Sequence, residues 1–323
     1  ISTPEEAVAG TTAYLTICFI GIPCITSYNV LASIFRGMGD SRSPMYFIAA
    51  ACVVNIGLDF FFMGALRLGP AGAALGTTLS QAVSVLLALC VILKRRSIRL
   101  SKSDFHLRKA TMKDILSIGL PVAAQDGFIQ VSFMLITIMA NQRGLTDAAA
   151  VGIVEKIISF LFLVPSSMLS TVSALGAQNI GAGKYDRTDD ILRYAVAIGV
   201  GFGAVMALLM QFIAPGVVRP FTSDEAVVLA GAAYIRSYIF DCLFAGIQFS
   251  FSGYFCAWGK SGLSFLHNTL SILLVRVPGA WLACRFFPQT LVPMGLAPAC
   301  GSLFSSVVCV LLYRHLKRQS PTP

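Results

Sequence analysis

The sequence predicts an all-α, polytopic helical membrane protein with nine transmembrane helices. Two features of its composition point to this class: hydrophobic residues make up 56% of the 323 residues, and charged residues only 12%. Soluble domains carry about a quarter charged residues. The third observation is that the apolar residues form long, nearly uncharged runs of roughly 20 residues, the length that a helix needs to cross a bilayer. The runs do not alternate polar and apolar residues, which argues against a closed β-barrel.

Each predicted segment has a length suited to one crossing, and the nine segments are 11–35, 44–64, 71–93, 115–141, 148–175, 191–213, 233–257, 263–287 and 294–313. The nine Cys lie in or beside these segments and form no CxxC pair. We therefore interpret them as small apolar residues rather than as a disulfide framework or a zinc site. His106, His267 and His315 are isolated and near segment ends, which also argues against a metal site.

The net charge of +9 is distributed as a membrane topology requires, rather than as a nucleic-acid surface. Of 24 Lys and Arg, 17 lie in alternate connections, four in the opposite connections and three within segments. By the positive-inside rule, the basic 94–113 connection and the C-terminus lie in the cytoplasm, and the N-terminus of the chain lies outside. Phe105 and Leu107 of this connection, with Leu116 just after it, lie among its charges, a pattern typical of an amphipathic surface helix.

The chain contains an internal repeat. At an offset of 220, residues 5–8 resemble 224–227 and residues 35–41 resemble 255–261; at an offset of 225, residues 74–77 resemble 299–302. Segments one to three therefore resemble segments seven to nine in the same orientation, which is a parallel repeat. Segments four to six should then have their own counterpart before segment one. We expect nine helices of a twelve-helix, two-lobe fold: residues 1–93 as the remaining half of the N-terminal lobe, 94–113 as a cytoplasmic linker and 114–323 as the C-terminal lobe.

Several motifs carry a family resemblance. Residues 35–44, Phe-Arg-Gly-Met-Gly-Asp-Ser-Arg-Ser-Pro, resemble the RG-x-GD-x-[KR]-x-P loop of the multidrug and toxic compound extrusion (MATE) family. Residues 55–59 resemble its N-x-x-x-D helix motif, and residues 72–77 resemble its GAA-x-x-T helix start. Residues 119–121 and 176–184 are similar to the starts and ends of its C-terminal helices. The resemblance covers nearly the whole chain in order, and it implies a twelve-helix, two-lobe transporter.

Asp59 is the strongest candidate for a functional residue. An ionised carboxylate in an apolar segment costs several kcal/mol and usually marks an ion or proton pathway. Asn55 is one turn earlier, on the same helix face. At 1.5 Å per residue, Asp59 lies about 22 Å from the inner end of its segment and Thr77 about 9 Å from the outer end of the next. Tyr14 lies just below the outer surface, so the three side chains are expected at similar depth.

The resemblance implies that Asn55, Asp59, Thr77 and Tyr14 bind the coupling cation, together with an Asp from the family's first helix, which is not among the nine segments. Each residue also has a purely structural interpretation. Asp59 could reach the outer interface or pair with Arg67. The Thr77 hydroxyl could bond to its own helix backbone, and Tyr14 could be an aromatic residue of the membrane interface.

The C-terminal lobe has a possible polar or substrate site formed by Asp126, Gln130 and Asp241. Some relatives carry acidic residues near the positions of Gln130 and Ala245, and Asp126 and Asp241 lie about one turn from these. Functional and structural interpretations of the two aspartates stay open. Interhelical pairing or reaching to the interface is favoured for the other charged residues within segments, which are Glu155, Lys156, Arg236 and Arg276.

We expect a cation-coupled antiporter, driven by H+ or Na+, that exports organic, often cationic, drugs across the cytoplasmic membrane by alternating access. The expected partners are small organic substrates and membrane lipid, the protein is expected to be monomeric, and no cofactor or metal is expected beyond Na+ at Asp59 and Asn55. One alternative is a flippase for a lipid-linked saccharide, which would need a strongly cationic cavity. Another is a non-transporting assembly protein, which would leave Asp59 and Asn55 without a polar cavity. No nucleophile–base pair or metal-ligand spacing indicates an enzyme.

Overall fold

The computed structural model describes residues 5–95, 106 and 108–319, and these form helices joined by short connections. The helices are α1 (Glu5–Gly37), α2 (Arg42–Asp59), a π-helix (Phe60–Ala65), α3 (Gly69–Arg95), α4 (Lys109–Asn141), α5 (Leu145–Leu161), α6 (Leu163–Gly181), α7 (Tyr185–Val218), a 3-10 turn (Arg219–Phe221), α8 (Glu225–Tyr238), α9 (Phe240–Ala257), α10 (Ser261–Ser271), a second π-helix (Ile272–Arg276), α11 (Val277–Phe286) and α12 (Val292–Gln319). Most of the predicted amphipathic linker helix, residues 96–105 and 107, lies outside the described residues.

Nine helical stretches in the described part of the chain are long and apolar enough to cross a membrane, which confirms the predicted number. Five of these spans are composite: α2 with its π-helix, α5 with α6, α7 with the 3-10 turn, α8 with α9, and α10 with the second π-helix and α11. The break between α5 and α6 falls at Phe162. Pro165 accounts for it, because proline has no N–H and its ring clashes with the carbonyl of the residue four positions earlier, here Leu161.

The chain divides into two compact units, Ile1–His106 and Leu107–Pro323. In the first unit, α3 packs along both α1 and α2, whereas α1 and α2 scarcely touch. The apolar core of this unit lies around the α1–α2 connection, where the Phe35 and Phe47 rings meet edge to face at 5.5 Å. The Tyr28 hydroxyl donates a hydrogen bond of 3.1 Å to the Pro44 carbonyl. These contacts hold the start of α2 against α1 and leave the other end of α2 free to carry polar groups.

In the second unit, α9 is the central helix and packs against α6, α7 and α12. Small residues let α7 and α9 approach closely: a β-carbon added to Gly199 would come within 2.8 Å of the Gly246 Cα. The last helix, α12, packs against both the seventh span (α8 and α9) and the eighth (α10, π-helix and α11). This is the arrangement that α3 has with α1 and α2, and it follows the order of the sequence repeat.

Candidate functional site

Asp59 lies at a change of helix type in the second span. It is the last residue of α2, and the π-helix Phe60–Ala65 follows directly. The wider turn is seen in the backbone hydrogen bond of 3.0 Å from Leu66 N to Phe61 O, five residues apart. π-helical turns inside α-helices occur frequently at functional sites. The Asp59 side chain is half-buried at this point.

Gly76 of α3 packs directly against the Asp59 carboxylate. A β-carbon at Gly76 would overlap the Asp59 Oδ1 atom and would lie 3.5 Å from the Asn55 amide nitrogen. Only a hydrogen atom fits here, so glycine is required for α3 to close over the carboxylate. Neighbouring turns of α2 and α3 thus bring Asn55, Asp59 and Gly76 together.

Two atoms of this cluster are buried without a partner. Among the described residues, neither Asp59 Oδ1 nor Asn55 Nδ2 has a hydrogen-bond partner, and no ion pair joins Asp59 to Arg67, whose side chain is exposed. Buried polar atoms are otherwise nearly always hydrogen-bonded. A proton, a cation or a water molecule would satisfy the carboxylate oxygen. Because amide oxygen and nitrogen positions are interchangeable assignments, Asn55 can present its oxygen to the same cation.

Thr77 and Tyr14 lie near this cluster, and their hydroxyl groups make different contacts. The Thr77 hydroxyl donates a hydrogen bond of 3.0 Å to the Ala73 carbonyl within α3, which leaves its oxygen lone pairs as acceptors. The phenol of Tyr14, which is 38% exposed, faces Cys18 and lies within electrostatic range of Asp59. The cation-binding role of these residues and of Asn55 and Asp59 stays a prediction. Sequence reasoning did not select Gly76, although it lies one position before Thr77 in the same motif.

The predicted polar site of the C-terminal lobe is divided between two environments. Asp126 and Gln130 lie one turn apart on an exposed face of α4. Asp241 is fully buried on α9, with its Oδ2 atom 3.8 Å from Arg276 Nη2. No hydrogen bond or ion pair joins Asp241 to either α4 residue within the described ranges. The interhelical pairing favoured for Arg276 is confirmed, and Glu155 likewise accepts an interhelical hydrogen bond of 3.1 Å from Thr137.

A buried hydrogen-bond network in the second unit was missed by the sequence analysis. His267 of α10 is fully buried, with Nε2 3.0 Å from the Ser252 hydroxyl and Nδ1 2.7 Å from the Ser305 hydroxyl. His267 thus links α9, α10 and α12 through two serine hydroxyls. Within the described residues, no group of three or more His, Cys, Asp or Glu could hold a metal ion. The serines in the apolar ninth segment were the available signal for this network.

Known proteins share this fold and these motifs. The family model described as MatE matches residues 1–61 and 121–282. The probable multidrug resistance protein YpnP of Bacillus subtilis is 29% identical over 98% of this chain, and the multidrug export protein MepA of Staphylococcus haemolyticus is 27% identical over 79%. The aligned region spans 70% of YpnP and 56% of MepA.

The structural comparison agrees with the family match. The crystal structure of a mutant of the Vibrio cholerae MATE transporter VcmN superposes with a TM-score of 0.91 at 18% identity, over 99% of this chain and 72% of that one. At this identity the likeness shows the fold. The family match covers well over half of the chain. The chain therefore belongs to the MatE family, the multidrug and toxic compound extrusion transporters, as its motifs predicted.

Proposed function

We propose that the protein containing this chain exports organic, often cationic, compounds from the cytoplasm in exchange for H+ or Na+. The observation that carries the proposal is the buried, unpartnered oxygen of Asp59, which faces Asn55 under Gly76 within an apolar span. The names of YpnP and MepA, a probable multidrug resistance protein and a multidrug export protein, support a range of drug-like substrates. The proposed location is the cytoplasmic membrane, with the 94–113 linker and the C-terminus inside and the protein acting as a monomer.

Exchange follows from the electrostatics of Asp59. An ionised carboxylate that is withdrawn from water is destabilised by several kcal/mol unless a cation or proton neutralises it. Occupancy by H+ or Na+ therefore favours the conformation in which α3 covers the carboxylate. An organic cation that binds the alternative conformation shifts the equilibrium away from cation binding. The two ligands need only bias one two-state equilibrium in opposite directions, and the coupling is then reciprocal.

The flippase alternative is less well supported. A carrier of a lipid-linked saccharide phosphate would need a strongly cationic cavity. Within the described spans, Lys156 and Arg236 lie on α5 and α8, and Arg276 is buried beside Asp241. The candidate site in the first unit is acidic rather than basic, which favours exchange of cations.

The test is efflux of the fluorescent cation ethidium from cells that express the full-length protein, with and without the Asp59→Asn substitution. Asn keeps the shape of Asp but cannot exchange a proton or balance Na+. We expect gradient-dependent efflux to slow roughly tenfold or more, within the range of about 5–150-fold that coupling between two ligands usually spans. Asp114→Asn, at an exposed carboxylate near the start of α4, is the matched control and should retain efflux. Unimpaired gradient-dependent efflux in Asp59→Asn would sink the proposed role.

A further inference from the structure

Two glycines at corresponding positions of the repeat each pack against the span that precedes them. Gly76 and Gly301 are related by the offset of 225 residues. Gly76 packs against Asp59 and Asn55. A β-carbon at Gly301 would lie 3.2 Å from the Arg276 Cβ and 3.0 Å from the Ser271 hydroxyl. Ser271 directly precedes the second π-helix, as Asp59 precedes the first, so a hydroxyl in the C-terminal unit has the position that the Asp59 carboxylate has in the N-terminal unit.

The charge of the C-terminal unit lies at the other end of its π-helix. Asp59 directly precedes the π-helix of the second span, and Arg276 is the last residue of the π-helix of the eighth span. These two spans are the ones that the repeat relates to each other. Glycine and π-helix thus recur in both units, whereas the charged residue differs in sign and in place.

The guanidinium of Arg276 is buried and held in place by neighbouring side chains. It is 7% exposed, its Nη2 atom donates a hydrogen bond of 2.9 Å to the Tyr238 hydroxyl, and its Cζ atom lies 4.8 Å from the centre of the Phe133 ring. Asp241, on the neighbouring span, lies 3.8 Å away. Half-buried Glu155 is a second carboxylate within electrostatic range of Arg276. Arg276 is thus the cation that neutralises a buried acidic pocket.

Some buried polar atoms of this pocket have no hydrogen-bond partner. The Nε atom of Arg276 has no hydrogen-bond partner within the described residues, and the Asp241 carboxylate has the Ser302 hydroxyl beside it but no hydrogen bond of good geometry. Asp241 is fully buried, so its charge is balanced by the nearby guanidinium and not by donors or water at the surface. Without the guanidinium, Asp241 would have to take up a proton or bind a small cation.

We propose that Arg276 is a tethered cation that fills a latent monovalent-cation site formed by Asp241 and Tyr238. The C-terminal unit then binds no exchangeable H+ or Na+, and the coupling ion binds in the N-terminal unit alone. The statement that the coupling ion binds in the N-terminal unit rests on the proposed function of Asp59. The statement about Arg276 does not, and the experiment is designed in a background without Asp59 so that the two statements can fail separately.

The experiment uses the purified full-length protein with Asp59→Asn, so that the N-terminal candidate site does not contribute. Binding of radiolabelled Na+ is measured, together with the infrared carbonyl band of a protonated buried carboxylic acid. This background should show neither signal from the C-terminal unit. Addition of Arg276→Met should create one saturable Na+ site or one protonated-acid band, and further addition of Asp241→Asn should remove it.

Arg276→Lys is the matched control, because lysine keeps a tethered charge and should behave like the background. An Asp241-dependent signal while Arg276 is present would overturn the proposal. So would the absence of both signals in an Arg276→Met protein that elutes as a single species and melts cooperatively. If Arg276→Met does not fold, the background and Arg276→Lys proteins decide: absence of both signals in the two proteins supports the proposal, and a cation signal in either contradicts it.

Discussion

At the scale of single residues, the chemistry of the first unit depends on how little space surrounds the Asp59 carboxylate. Gly76 covers its Oδ1 atom, and no described donor satisfies that atom. In the proposed mechanism, a proton or a monovalent cation from solution neutralises the carboxylate. We propose that this neutralisation links cation occupancy to the close approach of α3.

The substitution Gly76→Ala tests this link without changing any charge. The added methyl group must displace the Asp59 carboxylate, which is the mobile end of a short side chain, so the fold should be preserved while the cation geometry is lost. We expect the cation concentration for half-maximal ethidium efflux to rise by about tenfold, equivalent to about 1.4 kcal/mol of binding free energy. Gly57→Ala, in α2 with open space around it, is the control and should leave this concentration unchanged. An unchanged value in Gly76→Ala would show that the carboxylate does not need this close approach.

The sequence pattern predicts some of these contacts and not others, for a physical reason. Asn55 and Asp59 are four positions apart on one helix, so the helical period alone places them together. The pairing of Asp241 with Arg276 joins two spans and 35 positions of sequence, and no local spacing encodes it. Gly76 is equally hidden, since its role is to lack a side chain where another helix supplies a carboxylate.

At the scale of helices, close approach through glycine is the main packing device of the second unit. A β-carbon at Gly203 of α7 would lie 2.7 Å from the Leu243 backbone nitrogen of α9. Small residues at helix contacts in membranes allow such approach, and van der Waals packing then stabilises the pair. The contact involves backbone rather than the end of a flexible side chain, so it cannot yield by a change of rotamer.

Gly203→Ala should therefore push α7 away from α9 and destabilise the protein by about 1–3 kcal/mol, the usual range for an overpacked core. The measurement is the apparent melting temperature reported by a thiol-reactive dye, whose signal rises when the buried Cys242 and Cys309 become accessible. Gly201→Ala, which has open space around it, should melt at the wild-type temperature or slightly above, because alanine favours the helix. Equal melting of the two variants would contradict the packing account.

The composite spans show which helix irregularities a sequence reveals. The break before Pro165 follows from the chemistry of proline, and a kink there could be expected. The π-helix after Asp59 contains no proline, and its residues are as apolar as the helix before it. Its wider turn depends on contacts with other helices, which hydropathy does not record.

At the scale of the whole molecule, the number of spans could be predicted because the bilayer imposes a length and an apolar composition on every crossing. The family could be predicted because its motifs, such as those in residues 35–44 and 55–59, lie in order along the chain. Nine such helices are present in the described residues, and the last three repeat the packing of the first three. What differs between the two copies is the charged residue beside the π-helix: Asp59 precedes the first π-helix, and Arg276 ends the second. In our account, Asp59 takes an exchangeable cation from solution, whereas Arg276 supplies a permanent one to Asp241.

The central claim is that an organic cation moves in one direction while H+ or Na+ moves in the other through Asp59. The most direct measurement uses full-length protein in lipid vesicles, with a gradient of ethidium as the only driving force. Movement of H+ is followed with an enclosed pH-sensitive dye, and movement of Na+ with radiolabel. The account predicts counterflow of H+ or Na+ in the wild type and none in Asp59→Asn. Ethidium transport without counterflow in the wild type, or equal counterflow in Asp59→Asn, would contradict it.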